Sequence, residues 1–161
     1  MRSQLDYANS VWCPFRVGLI TELEKVQKRA TKSVGVCRKL AYKERLKYLN
    51  LPSLRYRRLR GDMIEVFKIL NGIYDCIVTP HLARDLGTRT RGNSFKLLHL
   101  RCKHDVKKYS FCHRVVAPWN SLPDEVVCSV SLNSFKNNLD KHWCKDYIMF
   151  EWDSDLSELF K

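Results

Sequence analysis

The sequence predicts a mainly α-helical protein. Apolar residues recur three or four positions apart in several stretches, which is the pattern of one buried side of a helix. The period of two that marks a half-buried strand is confined to short runs in the middle of the chain. With 161 residues and 45% hydrophobic content, the chain is long enough for one domain-sized core or two small ones. We expect a three-helix bundle, an irregular segment with a short β-hairpin, and two further helices.

The first helix is predicted from about residues 18–21 to residue 34. Its apolar side, expected to pack inward, consists of Leu19, Leu23, Val26, Ala30 and Val34. The opposite side carries Lys25, Lys28, Arg29 and Lys32. Thr21 and Glu24 have the spacing of a capping box at a helix start. Glu24 also stands four residues before Lys28, which is the favourable order for a helical ion pair.

A second, shorter helix is predicted over residues 42–50, where Tyr42, Leu46 and Leu49 share a face. It ends before Pro52, because the residue that precedes a proline avoids the helical conformation. Short loops then join this helix to its two neighbours, as in an α-helical bundle.

The third helix lies within the stretch LNLPSLRYRRLRGDMIEVFKILNG, residues 49–72. Pro52 with Ser53 suits a helix start, and Asn71 with Gly72 suits a helix end. The apolar side consists of Leu59, Met63, Val66 and Leu70, with Ile64 and Phe67 beside them. The first turns carry Arg55, Arg57, Arg58 and Arg60. Crowded arginines repel one another, so this run favours a phosphate partner. The alternative is a solvated basic face on which the aliphatic parts of the arginine side chains cover apolar neighbours.

The middle of the chain, residues 79–109, is predicted to be a connector, because it begins with a run rich in Gly, Thr, Arg and Asn. Within it, residues 95–100 are expected to form a short strand paired with residues 102–106, with a helix as the alternative.

The last third, residues 110–150, is predicted to be a helical segment. Its first apolar side consists of Phe111, Val115, Trp119 and Leu122, and Pro118 inside that pattern predicts a kink or a break. We expect Trp119 to be a core anchor rather than a base-stacking platform. Ser131 is the predicted N-cap of the following helix, whose apolar side consists of Leu132, Phe135, Leu139 and Trp143. The acidic tail, residues 151–161, has no predicted packing role.

The charge distribution indicates a polyanionic partner. The chain has 29 Lys and Arg against 17 Asp and Glu, a net charge of +12. Residues 1–72 carry +10, residues 73–150 carry +5 and residues 151–161 carry −3. Such a basic excess makes nucleic acid the first partner to consider. No segment approaches the run of about 20 apolar residues needed to cross a bilayer, so no membrane partner is expected.

The number and spacing of the cysteines indicate the cellular compartment of the protein. There are seven, an odd number without a repeating interval, and the N-terminus has no signal peptide. This pattern argues for reduced thiols in an intracellular protein, for which the nucleus is a natural location, and against secretion.

Groups that could carry chemistry are sparse. Cysteine and histidine come close together in sequence at Cys102, His104, Cys112 and His113. Their spacing differs from that of structural zinc sites, so we expect neither a metal nor another cofactor. Asp124 and Glu125 follow a proline, as acidic residues in the first turn of a helix often do, and are predicted to be structural. The sequence has no Gly-rich phosphate loop, and we predict no catalytic residues.

Six strings together resemble one protein family. They are YANSVWCPF at residues 7–15, LEKVQKRATK at 23–32, YKERLKYLNLPSLRYRRLRGDMIEVFKILNG at 42–72, TRTRGNSFKL at 88–97, SFCHRVVAPWNSLPDEVV at 110–127 and SLNSFKNNLDKHW at 131–143. In this order they resemble the C-terminal part of reverse transcriptases of jockey-type non-LTR (LINE) retrotransposons. The resemblance covers about residues 5–145.

The resemblance implies a function for the basic residues. In that family the region follows the catalytic palm and acts as thumb and C-terminal extension, so residues 1–78 are expected to be a thumb-like helical bundle. It implies binding of template RNA or an RNA–DNA hybrid through phosphate contacts. The expected contacts are Lys25, Lys28, Arg29, Lys32, Arg55, Arg57, Arg58 and Arg60. The family's Y/F-x-D-D metal-binding segment is absent from this sequence, so the chain is expected to be inactive on its own.

Two alternatives stay open. The chain could be a protein–protein interaction or structural module retained from a transposon, which self-associates or binds another protein. It could also be a decayed open reading frame with no selected function. The DNA upstream of Met1 would distinguish a truncated gene model of a polymerase from an isolated protein.

Overall fold

The computed structural model of the chain is mainly α-helical, as predicted. It describes Leu5 and residues 7–75, 77–85, 87, 93–144 and 148–152. The helices are α1 Val17–Lys32, a 3₁₀-helix at Gly35–Cys37, α2 Tyr42–Tyr48, α3 Leu54–Leu70, α4 Asp105–Lys108, α5 Phe111–Arg114, α6 Val116–Asn120, α7 Asp124–Val127, α8 Leu132–Cys144 and a second 3₁₀-helix at Ile148–Phe150.

The contacts divide the chain into two compact units. Over the described residues, unit 1 comprises Met1–Arg60 with Trp143–Ser154, and unit 2 comprises Gly61–His142. This division differs from the predicted boundaries at residues 78 and 109. The difference arises because α3 is one continuous helix that belongs to unit 1 up to Arg60 and to unit 2 beyond it.

The start of α3 is confirmed at Ser53. Its hydroxyl oxygen accepts the Tyr56 N–H at 3.2 Å, which satisfies one of the backbone donors of the first turn. The Ser53 N–H donates to the Met149 carbonyl at 3.0 Å, and its hydroxyl donates to the Glu151 carbonyl at 3.0 Å. The prediction that residues 151–161 have no packing role is therefore wrong for Glu151 and for Trp152, whose ring packs against that of Tyr42 within unit 1. Residues 153–161 lie outside the described part of the chain.

The end of α3 is confirmed at Gly72. The helix stops at Leu70, and Gly72 adopts a φ of +64°, a conformation that favours glycine. The Ile73 N–H then donates to the Lys68 carbonyl at 3.0 Å, which closes the last turn. Within unit 2 the helix buries Met63, Val66 and Phe67, so this part of the predicted apolar side is also confirmed.

The inward side of α1 is rotated by about a quarter turn from the predicted one. Glu24, Gln27 and Thr31 are buried, whereas Leu19 is 53% exposed and Val34 is 40% exposed. Two of these buried side chains donate hydrogen bonds to backbone carbonyls. The Gln27 amide donates to the Pro52 carbonyl at 3.0 Å, and the Thr31 hydroxyl donates to the Gln27 carbonyl at 3.0 Å. The Gln27 amide thus pairs the carbonyl that precedes Ser53 and α3, whereas the Thr31 hydroxyl adds a second donor to a carbonyl inside α1.

The predicted capping box at the start of α1 is also wrong. The helix begins four residues earlier than Thr21, at Val17. Thr21 therefore lies inside the helix, and its hydroxyl donates to the Val17 carbonyl at 2.9 Å. A threonine that bonds back to the preceding turn in this way does not cap a helix start.

The apolar pattern of the last third is confirmed in unit 2. Phe111, Val115, Trp119 and Leu122 are all buried. The helix is interrupted at Val115, between α5 and α6, three residues before Pro118. A proline in a helix lacks the N–H that would bond the carbonyl four residues back and its ring crowds that carbonyl, which explains the interruption.

Helix α8 supplies the centre of the unit 2 core. It begins after Ser131, whose hydroxyl accepts the Ser134 N–H at 3.2 Å, so the predicted N-cap is confirmed. Phe135 is fully buried and stacks on Phe67 at a ring-centroid distance of 4.4 Å. On another side its ring lies 5.9 Å from that of Trp119.

The predicted hairpin has a different partner in the described residues. Leu97 forms an isolated antiparallel bridge with Arg84, and the Asp85 N–H donates to the Lys96 carbonyl at 2.9 Å. The expected partner, residues 102–106, is not a strand, because Asp105 begins α4.

Candidate nucleic-acid interface

Three of the predicted phosphate contacts lie together on α1. Lys25, Arg29 and Lys32 are exposed, and their positions, four and three residues apart, place them on one side of the helix. At a rise of 1.5 Å per residue they span about 10 Å along the helix axis. Lys25 forms an ion pair with Glu22, but an exposed pair of this kind contributes little and leaves the lysine available. We call Lys25, Arg29 and Lys32 the α1 basic face.

Lys28 differs from its neighbours on α1 because aromatic rings surround its ammonium group. Its Nζ lies 3.1 Å from the centroid of a Trp152 ring and 5.2 Å from that of Tyr42. The two rings meet edge to face, at an interplanar angle of 70°. A cation over an aromatic face is attracted by the ring quadrupole, so this lysine has a role in holding unit 1 together.

The arginines of α3 lie deeper than expected. Arg55, Arg57 and Arg60 are half-buried, and Arg58 is only 6% exposed. An Arg58 Nη donates to the Leu5 carbonyl at 3.1 Å, and its guanidinium carbon lies 4.8 Å from the centroid of the Trp12 ring. Because its guanidinium is committed to these contacts inside unit 1, we remove Arg58 from the set of expected phosphate contacts.

Sequence reasoning missed a second group of exposed basic residues in unit 1. These residues are Arg38, Lys39, Lys43 and Lys47. Lys43 is paired with Glu151. The high net charge of residues 1–72 was the one sequence feature that could have indicated this second group. Its four members lie in and around the short α2, where the basic residues follow no regular helical spacing.

A buried carboxylate lies on the inner side of α1. Glu24 is 1% exposed, and its carboxylate accepts the Leu54 N–H, with N···O distances of 3.2 and 3.4 Å, and the Tyr42 hydroxyl. It therefore binds the first turn of α3 from a different helix. Burial raises the pKa of Glu24, although the hydrogen bonds from Tyr42 and Leu54 and the charges of Lys28 and Arg58 oppose the shift. Burial and the Glu24 carboxyl also raise the pKa of Tyr42.

The raised pKa of Glu24 predicts a pH-dependent stability. Because the folded state holds the Glu24 proton more tightly than the unfolded chain, this contribution is complete below the ordinary pKa of 4.5 and is lost as pH rises through the folded-state pKa. Glu24→Gln cannot ionise, so the variant should gain stability relative to the natural chain as pH rises. Urea unfolding of both proteins at pH 4 and pH 7 measures this. An unchanged difference between them at the two pH values would contradict the prediction.

Asp124 has a structural role, as its position after Pro123 predicts. It begins α7, and its carboxylate accepts the Ser94 N–H at 2.7 Å. Hydrogen bonding from Ser94 lowers the pKa of Asp124. The carboxylate thus ties Ser94, in the predicted connector, to α7.

A cluster of potential metal ligands and a membrane-spanning helix are both absent from the described residues. Within them, no three His, Cys, Asp or Glu side chains form a group that could hold a metal ion. No helix in the same part of the chain is long and apolar enough to cross a membrane.

Comparison with known proteins gives no relative: no protein-family model, curated protein or solved structure matches the chain. Fold and surface together define a mainly α-helical, strongly basic protein. The resemblance to reverse transcriptases accordingly rests on the residues and their order.

Proposed function

We propose that the chain is the thumb and C-terminal extension of a jockey-type non-LTR retrotransposon reverse transcriptase. In this role it binds template RNA or an RNA–DNA hybrid and does not copy it alone. The resemblance over residues 5–145 supports the family, and the exposed α1 basic face on a chain of net charge +12 supports the binding. The proposal includes an intracellular location, with the nucleus as the expected compartment.

The observation that carries the binding proposal is the α1 basic face. Lys25, Arg29 and Lys32 lie on one side of a regular helix whose inner side is fixed by Glu24 and Gln27. Cations held in a row by a rigid helix suit a phosphate backbone. Backbone contacts carry no sequence information, so binding should tolerate sequence changes and weaken with salt.

A salt titration tests this function. We expect the natural chain to bind a fluorescent RNA or RNA–DNA hybrid at low salt, with affinity that falls steeply as salt rises. The triple variant Lys25→Gln, Arg29→Gln, Lys32→Gln should bind more weakly, and its log–log salt slope should be shallower by about 2 to 3, because each phosphate contact contributes about 0.7 to 0.9.

A matched variant distinguishes the effect of where the basic residues lie from the effect of the total net charge. Lys103→Gln, Lys107→Gln, Lys108→Gln removes three exposed basic side chains from unit 2 and should leave the slope closer to that of the natural chain. Equal losses in the two triple variants would show that only net charge matters. Absence of binding at low salt would overturn the proposed function.

One observation favours a second candidate function, a protein-interaction module. The apolar flank of α1 is exposed at Leu19, and Val34 and Val36 beyond the helix end are 40% and 73% exposed. Leu19 and Val34 lie about 20 Å apart along the helix axis, so a partner that covers both must extend along α1. Sedimentation velocity over a range of protein concentrations tests self-association, and a monomer throughout that range would argue against it.

A further inference from the structure

An exposed aromatic group lies near the start of unit 1, in the segment of residues 7–15. Tyr7 is 76% exposed, Trp12 is 40% exposed and Phe15 is 41% exposed. Elsewhere in the described chain, Trp119 and Trp143 are almost fully buried. We call Tyr7, Trp12 and Phe15 the aromatic group.

The backbone holds this segment in a tight turn. Ala8 adopts a φ of +51°, and its carbonyl accepts the N–H groups of Val11 and Trp12 at 2.9 and 3.0 Å. The Trp12 indole N–H donates to the Tyr7 carbonyl at 2.8 Å. The Asn9 side-chain amide donates to the Arg58 carbonyl at 2.8 Å, which attaches the turn to α3. The indole is therefore held by the protein before any ligand arrives.

Arg58 supports one side of the indole. Its guanidinium carbon lies 4.8 Å from the centroid of the Trp12 ring, and one of its nitrogens is fixed by the Leu5 carbonyl. A buried cation thus positions the ring, while 40% of the Trp12 surface stays exposed. An aromatic ring that is pre-positioned and partly open loses little conformational entropy when a flat partner stacks on it.

An exposed cation lies beside the aromatic group. Arg16 is exposed, and its guanidinium carbon lies 5.8 Å from the centroid of the Phe15 ring. Exposed rings beside a cation match the two parts of a nucleotide, since the base offers a flat π surface and the phosphate a negative charge.

We propose that the aromatic group is a stacking platform for unpaired bases, with Trp12 as its main contact and Arg58 as a positioning residue. The inference rests on the proposed function and makes it more specific: the nucleic acid that crosses this segment is single-stranded. Every base has a π face, so the platform accepts any sequence. Bases paired within a duplex are stacked on one another and cannot use it.

The test compares single-stranded and duplex RNA of equal length in binding titrations. Trp12→Ala should weaken single-strand binding about 5- to 150-fold. Its effect on duplex binding should be less than about twofold, because phosphate contacts dominate there. Trp12→Phe keeps a ring and should restore most of the lost affinity. Val11→Ala serves as the matched control, because Val11 is next to Trp12, is 84% exposed and has no aromatic ring. Thermal unfolding of each variant verifies that the fold is retained.

The outcomes separate this inference from the proposed function. If the triple variant of the α1 basic face weakens binding but Trp12→Ala does not, the platform is overturned and the proposed function stands. If Trp12→Ala weakens single-strand and duplex binding equally, the platform is likewise overturned. If Trp12→Ala changes only self-association, the aromatic group is a protein contact instead. If the natural chain binds neither RNA at low salt, both proposals fail.

Discussion

Replacing Phe135 with alanine is expected to lower the free energy of unfolding by about 3–5 kcal/mol, which is the usual loss for a fully buried phenylalanine. Phe135 is 0% exposed and contacts both Phe67 and Trp119, at ring-centroid distances of 4.4 and 5.9 Å. The substitution removes a ring that contacts two others and leaves a cavity in unit 2. Urea unfolding followed by far-UV circular dichroism measures the change.

A substitution on the surface gives the reference for that experiment. Val130 is 100% exposed, so Val130→Ala should change the free energy of unfolding by no more than about 0.5 kcal/mol. A loss below about 1 kcal/mol for Phe135→Ala would show that the three rings do not form the centre of the core.

Asp62→Ala is expected to destabilise the protein by about 3–5 kcal/mol, the usual loss when one member of a buried ion pair is removed. Arg114 binds both carboxylate oxygens of Asp62, with Nε–Oδ2 and Nη2–Oδ1 distances of 2.9 and 3.0 Å. The Asp62 side chain is 5% exposed and that of Arg114 is 16% exposed. Removing the carboxylate therefore leaves a guanidinium charge in a poorly solvated place. Chemical denaturation at neutral pH measures the loss.

The double variant Asp62→Leu, Arg114→Met provides the control for the ion pair. Replacing both charges with apolar side chains of similar size avoids an isolated charge, so the double variant should recover most of the lost stability. If it is as unstable as Asp62→Ala, the cost arises from lost packing and not from the unpaired charge.

The sequence predicted helix starts, ends and interruptions best where residues close together in sequence determine them. Ser53 and Ser131 cap helices because their side chains reach a backbone N–H three residues ahead. Pro118 interrupts a helix because of its own ring, and Gly72 ends one because of its φ. None of these features requires a distant partner, so they could be predicted from short stretches of sequence.

The failed predictions depend on contacts between distant parts of the chain. Periodicity placed the apolar residues of α1 inside, but Glu24 faces inward because Leu54 and Tyr42 provide donors for it. Likewise, the strand partner of Leu97 is Arg84 and not the segment that follows it. No pattern within a single segment reveals which distant backbone group needs an acceptor.

The candidate site was predicted in part for the same reason. The α1 basic face is exposed as expected, because a solvated charge is the default for Lys and Arg. Arg58 is buried because the carbonyl of Leu5 and the ring of Trp12 surround it. The spacing of the arginines contained no sign of that arrangement, since both partners lie more than forty residues earlier in the sequence.

The hydrogen bonds of Ser53 have a consequence for the order of folding. Its hydroxyl binds the carbonyl of Glu151, 98 residues further along the chain, and its N–H binds that of Met149. Contacts so distant in sequence form slowly, because a long loop must close before they contribute. During synthesis these two hydrogen bonds of Ser53 therefore wait for residues near 150 to leave the ribosome. Unit 1 begins first along the chain, but it cannot be completed until almost the whole chain has been made.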